Sequence, residues 1–420
     1  MSFTQDGNAA NVYSFEGEQG MPIEDHVERV IHAPDAIHRQ YPDLFQRFVV
    51  PITVFEYRNV ERNWTLSVAT VAEKGKEQFS LGGFRIVPQE RAELPGFSPI
   101  AESIGLALGM EQKVRWSRMV RVAGPNSRKH LSRVVGGKCV LLPTPGSRVG
   151  EKEDTALLSF AVSCLHDMNR THGVLINTGQ DLGHGRMSDG RLSSLEFLHS
   201  RFEGSIVADT SLPTAVGNFH VLEGALAAYG KEIGASTIGV IGCGNIGTHI
   251  LERLRERGAE VWILEASPAR RAELEREGLS TFAPSQKREF LRLPLDALVI
   301  NASGGTLDTE SIKAVSENSS IEIVCGCENL IMPNPQDEEV LKRSQKIFCP
   351  TEYCGMMGYL TAFEEYVSSL ERTPFSISAM VEASADLTKS AKMAAEFVRE
   401  SGFSISFRDA VGKCAESFQT

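Results

Sequence analysis

Three glycines, Gly242, Gly244 and Gly247, stand in the stretch VIGCGNIG, where the apolar run STIGVI gives way to THILERLRERG. That is a strand turning into a helix, and the spacing has a physical reason there. The first glycine permits a tight turn, the second lets a pyrophosphate approach bare backbone, and the third lets helix pack on strand. The N–H groups at the helix start, those of Asn245 and Ile246 included, attract the anion. Glu265 closes the next strand, AEVWIL, about twenty residues on, where a carboxylate accepts hydrogen bonds from ribose hydroxyls and repels a 2′-phosphate. NAD is the expected cofactor, although Arg270 and Arg271 close by could greet the extra phosphate of NADP, and Glu265 could be only a solvated strand end. Ala302 and Ser303, at the end of the strand-like DALVINAS, complete the expected cofactor set.

A dinucleotide site does not name a reaction. Two segments earlier in the chain carry side chains that could. VVGGKC puts Lys138 behind two glycines, and INTGQDLG puts Asp181 just past a strand and before a glycine turn. An ammonium and a carboxylate sharing a cleft can polarise a carbonyl or imine and shuttle its proton. Each alone reads equally well as a surface lysine and a turn-capping aspartate.

The elements that must position these groups fill a chain of 420 residues, enough for two or three domains. The net charge of −11 argues against nucleic acid or an anionic membrane as partner. No run of 18 apolar residues occurs, and the first twenty residues lack the order of a signal peptide, so a cytoplasmic protein is expected. Eight cysteines are too sparse for a disulfide scaffold. Cys325, Cys327, Cys349 and Cys354 could be read as zinc ligands, but IEIVCGCEN reads more simply as a buried strand, and no metal is expected.

Residues 49–85 alternate as strands do, IAESIGLALGMEQKVRWSRMV has helical spacing, and KCVLLP and GVLINTG flank a helical stretch in βαβ order. From Ser236 onward short apolar strands alternate with helices, the pattern of a parallel doubly wound sheet. The expected division is a mobile arm at 1–22, a first domain at 23–208 completed by a tail at 365–420, and a nucleotide-binding domain at 209–364.

LGGFR (81–85), LALGMEQK (106–113), VGGK (135–138), GQDLG (179–183), PTAVGNF (213–219) and GCGNIG (242–247) occur in an ordered set. In that order the chain resembles the glutamate, leucine, phenylalanine and valine dehydrogenases, closest to the leucine dehydrogenase branch, over about residues 50–365. The resemblance implies an α/β fold, with an amino-acid-dehydrogenase-like substrate domain, a Rossmann NAD-binding domain and a cleft between them. It implies NAD-dependent oxidative deamination of an L-amino acid to a 2-oxo acid and ammonia, or the reverse, in a homo-oligomer. By the same resemblance Lys138 activates water at the substrate carbon and Asp181 moves protons to and from the amine. Gly82, Gly83, Gly179 and Asn329 lie at the substrate, and Thr214 contacts the nicotinamide carboxamide.

Lys113 takes the place of the family lysine that binds the substrate carboxylate, but its gap to Lys138 is about twice the family's. The added segment at 114–133 brings Arg118, Arg121, Arg128, Lys129 and Arg133, any of which could hold the anion instead. Further departures concern the substrate pocket. GMMGY, with Met356, Met357 and Tyr359, replaces a small-residue stretch, Asp209 replaces an asparagine, and Gly179 replaces an alanine, which should open room for a bulky or unusual substrate of specialised metabolism. Two other readings remain: a shikimate-dehydrogenase-like oxidoreductase with a Lys/Asp pair, and a non-catalytic NAD-binding assembly protein.

Overall fold

The computed structural model describes residues 11–13, 26–46, 48–179, 185–334 and 336–414. The chain forms two compact units, one from Met1–Val114 and His130–Ala208, the other from Arg115–Lys129 and Asp209–Thr420.

The first unit is built on eight strands: β1 (Asn11–Tyr13), β2 (Val27–His32), β3 (Thr53–Asn59), β4 (Trp64–Thr70), β5 (Phe79–Leu81), β6 (Phe84–Ile86), β7 (Val134–Leu142) and β8 (Ile176–Asn177). They run in the order β1-β2-β3-β4-β7-β5-β8, with β6 also paired to β7. The pairs from β1 through β4 to β7 are antiparallel, whereas β5 runs parallel to both β7 and β8. β4 is buried along its whole length because both faces of the sheet are covered. Helix Asp154–His172 lays Leu158, Ala161 and Leu165 against Tyr57, Trp64 and Leu66. On another core, Ile104, Ala107 and Leu108 of helix Pro99–Val120 meet Ile52, Val54 and Ala69. Of the arm expected at 1–22, residues 11–13 are instead a strand paired with β2, and the rest lies outside the described residues.

The second unit carries β9 (Thr237–Ile241), β10 (Glu260–Leu264), β11 (Ser280–Phe282), β12 (Ala297–Ile300), β13 (Ile323–Gly326) and β14 (Ile347–Phe348), every pair parallel, in the order β11-β10-β9-β12-β13-β14. The strand order reverses between β9 and β12, and crevices at such points receive ligands at the carboxyl ends of the strands.

The tail expected on the first domain packs on the second. Gly224 of helix Ser211–Ala227 makes room for it: a Cβ there would lie 2.9 Å from the Lys392 amide, so helix Asp386–Glu400 approaches to backbone contact. Thr388 donates to Glu223 across the same seam at 3.1 Å.

The segment read as a basic insertion is also part of this unit from Arg115 to Lys129. The buried Glu364 carboxylate accepts from the amides of Asn126 and Ser127, both at 2.8 Å. Trp116 stacks edge-on to Tyr353 at 5.7 Å and lies under the Arg408 guanidinium. Ser117 shares a hydrogen bond with the Tyr359 hydroxyl.

Candidate catalytic and dinucleotide sites

Lys138 sits on β7 opposite Ala69 of β4, and is only 5% exposed. Its surroundings are glycine backbone. The link Gly82–Gly83 between β5 and β6 crosses over β7, and a side chain at Gly82 would overlap the Gly137 carbonyl. Gly83 has φ +75°, a conformation that favours glycine, and the Lys138 Nζ lies 3.3 Å from where a Gly83 Cβ would stand. The link is fixed by two backbone bonds, from the Gly83 amide to the Asn177 carbonyl at 3.2 Å and from the Cys139 amide to the Gly83 carbonyl at 3.1 Å. Next to them, Gly83 Cα lies 3.9 Å from the Cβ position of Gly179. Gly82, Gly83, Lys138 and Gly179 therefore gather at one place in the first unit. Asp181 lies outside the described residues, two positions beyond Gly179.

The room expected at Gly179 is largely taken. An alanine methyl there would meet Ile206 Cδ1 at 3.2 Å, so a branched side chain fills the space that the missing methyl leaves. Lys113 is buried in helix Pro99–Val120. Two residues before it, Glu111 accepts from the Gly136 amide at 2.7 Å and ties this helix to the strand that carries Lys138. That role escaped the sequence reading, and the nearness of GMEQK and VVGGK in the ordered set was its only trace. Of the basic residues, Lys129 pairs with Glu371 at 2.8 Å, Arg128 donates to the Ala123 carbonyl at 3.4 Å, and Arg133 pairs with Glu77. Arg121, exposed, ends the helix with φ +56°.

In the second unit the three glycines of the turn after β9 differ in their surroundings. Gly242, with φ +84°, abuts β12: its Cβ would lie 2.8 Å from the Asn301 carbonyl. A Cβ on Gly247 would strike the Gly242 carbonyl. Gly244 faces open space, with nothing within 4 Å of its Cβ position, at the N-cap of helix Asn245–Glu256. A cradle of bare backbone at a helix N-terminus is what a pyrophosphate requires.

Glu265 follows β10, and its carboxylate accepts from the amides of Cys243 at 2.7 Å and Ser267 at 2.8 Å. Burial, with the Glu265 charge beside it, pushes the Cys243 thiol up to about 12, so it stays protonated. Arg270 is engaged by Thr248 and Glu273, and Arg271 by the carbonyls of Glu265 and Ala266.

On the β12 side, Ala302 and Ser303 are exposed, and Asn329, partly buried, follows β13. Thr214 donates to the Thr210 carbonyl one turn back at 2.7 Å and lies beneath Gly358, whose Cβ would stand 2.8 Å from its hydroxyl. Met357 Cγ lies 2.6 Å from the Cβ position of Gly217 on the same helix. Asp209 accepts from the Ser211 amide at the start of that helix, at 2.9 Å. The bulky turn of the GMMGY stretch thus packs on the helix that presents Thr214.

Residues 216–287 match the family model described as D-isomer specific 2-hydroxyacid dehydrogenase, NAD binding domain. This match lies wholly in the second unit, and such domains serve many substrates. A valine dehydrogenase from Streptomyces virginiae is 25% identical over 166 residues, which are 39% of this chain and 45% of that protein. The match thus spans less than half of the relative's length. Among solved structures, an L-tryptophan dehydrogenase from Nostoc punctiforme has 16% identity and a TM-score of 0.59, covering 85% of this chain and 92% of that one. A glutamate dehydrogenase variant has 13% identity and a TM-score of 0.62, covering 91% of this chain and 90% of that one.

Proposed function

From a chain that has the fold of the amino acid dehydrogenases, with a Rossmann unit for a nicotinamide dinucleotide, we propose an NAD-dependent amino acid dehydrogenase. It would interconvert an L-amino acid with the corresponding 2-oxo acid and ammonia. The observation that carries this reading is the buried Lys138 ammonium, set against the Gly82–Gly83 link and Gly179, with Asp181 two residues further along the chain.

The dinucleotide, when bound, supplies the acceptor or donor of a hydride. The protein's own groups do the rest. Lys138, with little water around it, presents a cation to the oxygen that develops charge on the substrate carbon. Asp181 takes a proton from the substrate ammonium and returns it in the reverse direction. The open backbone at Gly244 and the amides of Asn245 and Ile246 would hold the pyrophosphate, and Glu265 the adenosine ribose. Glu265 also supports NAD over NADP, because the guanidinium of Arg270 is occupied by Glu273 and Thr248.

A bulky or unusual substrate remains part of the proposal, now resting on Met357 and Tyr359 rather than on Gly179. The test is a screen of 2-oxo acids with ammonium and NADH, followed by nicotinamide absorbance. Ammonium-dependent oxidation supports the reading. Turnover that ignores ammonium would overturn it and favour a hydroxyl oxidoreductase.

A further inference from the structure

Under the exposed loop that follows β12 lies a carboxylate that the mechanism above does not use. Glu328 is 2% exposed, and its oxygens take three hydrogen bonds. They come from the Ala302 amide at 3.1 Å, the Thr306 amide at 2.9 Å and the Thr306 hydroxyl at 2.6 Å. Burial raises its carboxyl pKa above the ordinary value, while these donors and the nearby Lys287 charge oppose the shift. A buried acid is costly unless its site uses it.

The loop it holds is otherwise weakly specified. Gly304 and Gly305 have φ +123° and +72°, so the backbone between Ala302 and Thr306 has little conformational preference of its own. Besides Glu328, the loop is tied down by the Gly305 amide on the Leu330 carbonyl at 3.0 Å and by the Lys287 ammonium on the Thr306 carbonyl at 2.5 Å. Its first residues border the glycine turn, because Asn301 is the neighbour that a Gly242 side chain would strike. With Glu265 on the β10 side taking the adenosine, a dinucleotide lying across β9 brings its other half over β12 and this loop.

We propose that Glu328 is a positioning residue, which clamps the 302–306 loop from below in the form that receives the nicotinamide half of the cofactor. It rests on the dinucleotide reading of the second unit. It makes a specific demand: loss of the clamp weakens ligands that reach over β12 and spares those confined to the β10 side.

The test compares NAD and AMP binding by calorimetry on the full chain. For Glu328→Gln, which puts an amide N–H where an acceptor stood, the expected result is NAD affinity lowered about tenfold with AMP affinity unchanged. Thr306→Val removes only the hydroxyl donor and should lower NAD affinity by a smaller factor, with Thr306→Ser restoring it. Should Glu328→Gln fail to fold, the Thr306 pair decides alone. NAD binding unchanged in a folded Glu328→Gln or in Thr306→Val overturns the inference, as does an equal loss for NAD and AMP, which would mark a general support of the fold. A parent protein that binds neither ligand would instead remove the dinucleotide reading, and the inference with it.

Discussion

Gly244→Ala separates folding from cofactor binding. Nothing lies within 4 Å of the new methyl, and the backbone at φ −72°, ψ −157° suits any residue. Alanine is a poorer N-cap than glycine by a few tenths to about 1 kcal/mol, and it gains roughly 0.4–1 kcal/mol by restricting the unfolded chain. The two nearly cancel. At about 2–4 °C per kcal/mol for a domain of this size class, the melting temperature should stay within about 4 °C of the parent. The methyl nevertheless fills the space through which a pyrophosphate reaches the helix amides. Losing one charge-assisted hydrogen bond of about 1.5–3 kcal/mol raises Kd for NAD on the order of 10- to 100-fold. Thermal melting and calorimetry with NAD read the two quantities independently. Gly247→Ala is the contrast, since its methyl would strike the Gly242 carbonyl and the fold itself should suffer. A folded Gly244→Ala that binds NAD as the parent does would refute the placement of the pyrophosphate.

Lys138→Met keeps the volume of the buried side chain and removes its charge, so kcat should fall about 10²- to 10⁴-fold with NAD affinity intact. Asp181→Asn should do the same, and the double variant should be barely worse than the poorer single, as steady-state rates on the identified oxo acid would reveal. Glu265→Ser removes the negative charge facing the ribose and should move the ratio of NADP to NAD affinity up by roughly tenfold or more; an unchanged ratio in calorimetry would assign the preference elsewhere. Glu364→Ala strands two buried amides, at about 1–3 kcal/mol each, and should cost about 2–5 kcal/mol in urea unfolding, with Glu364→Gln losing roughly half as much.

What could be read from the chain depended on whether a residue's role is local. The glycine turn was legible because its demands are met within a few residues, and Gly242, Gly244 and Gly247 each stand where the spacing required. The βαβ order around helix Asp154–His172 was legible for the same reason. Partner choice was not. An amphipathic helix announces that one face is covered, never by what, so the tail after Glu364 was assigned to the wrong unit. Glu111, Glu328 and Glu364 look in the sequence like any surface acid. Each acquires its role only when distant backbone amides are brought to it. Gly179 failed differently: the missing methyl was visible, whereas Ile206, which fills the gap, lies 27 positions later.

The segment Arg115–Lys129 also bears on how the protein is made. Its anchors come late in the chain, since Glu364 follows Asn126 by 238 positions and Arg408 comes later still. At a synthesis rate of about 5–20 residues per second, on the order of ten seconds or more must pass before those anchors emerge from the ribosome. Throughout that interval the N-terminal half can complete its own sheet while Trp116, Val120 and Val122, all buried in the finished protein, have no surface to cover them. The nascent chain thus carries an apolar loop between two halves of an already foldable unit, a natural stopping place for a chaperone and the region where a truncated product would aggregate.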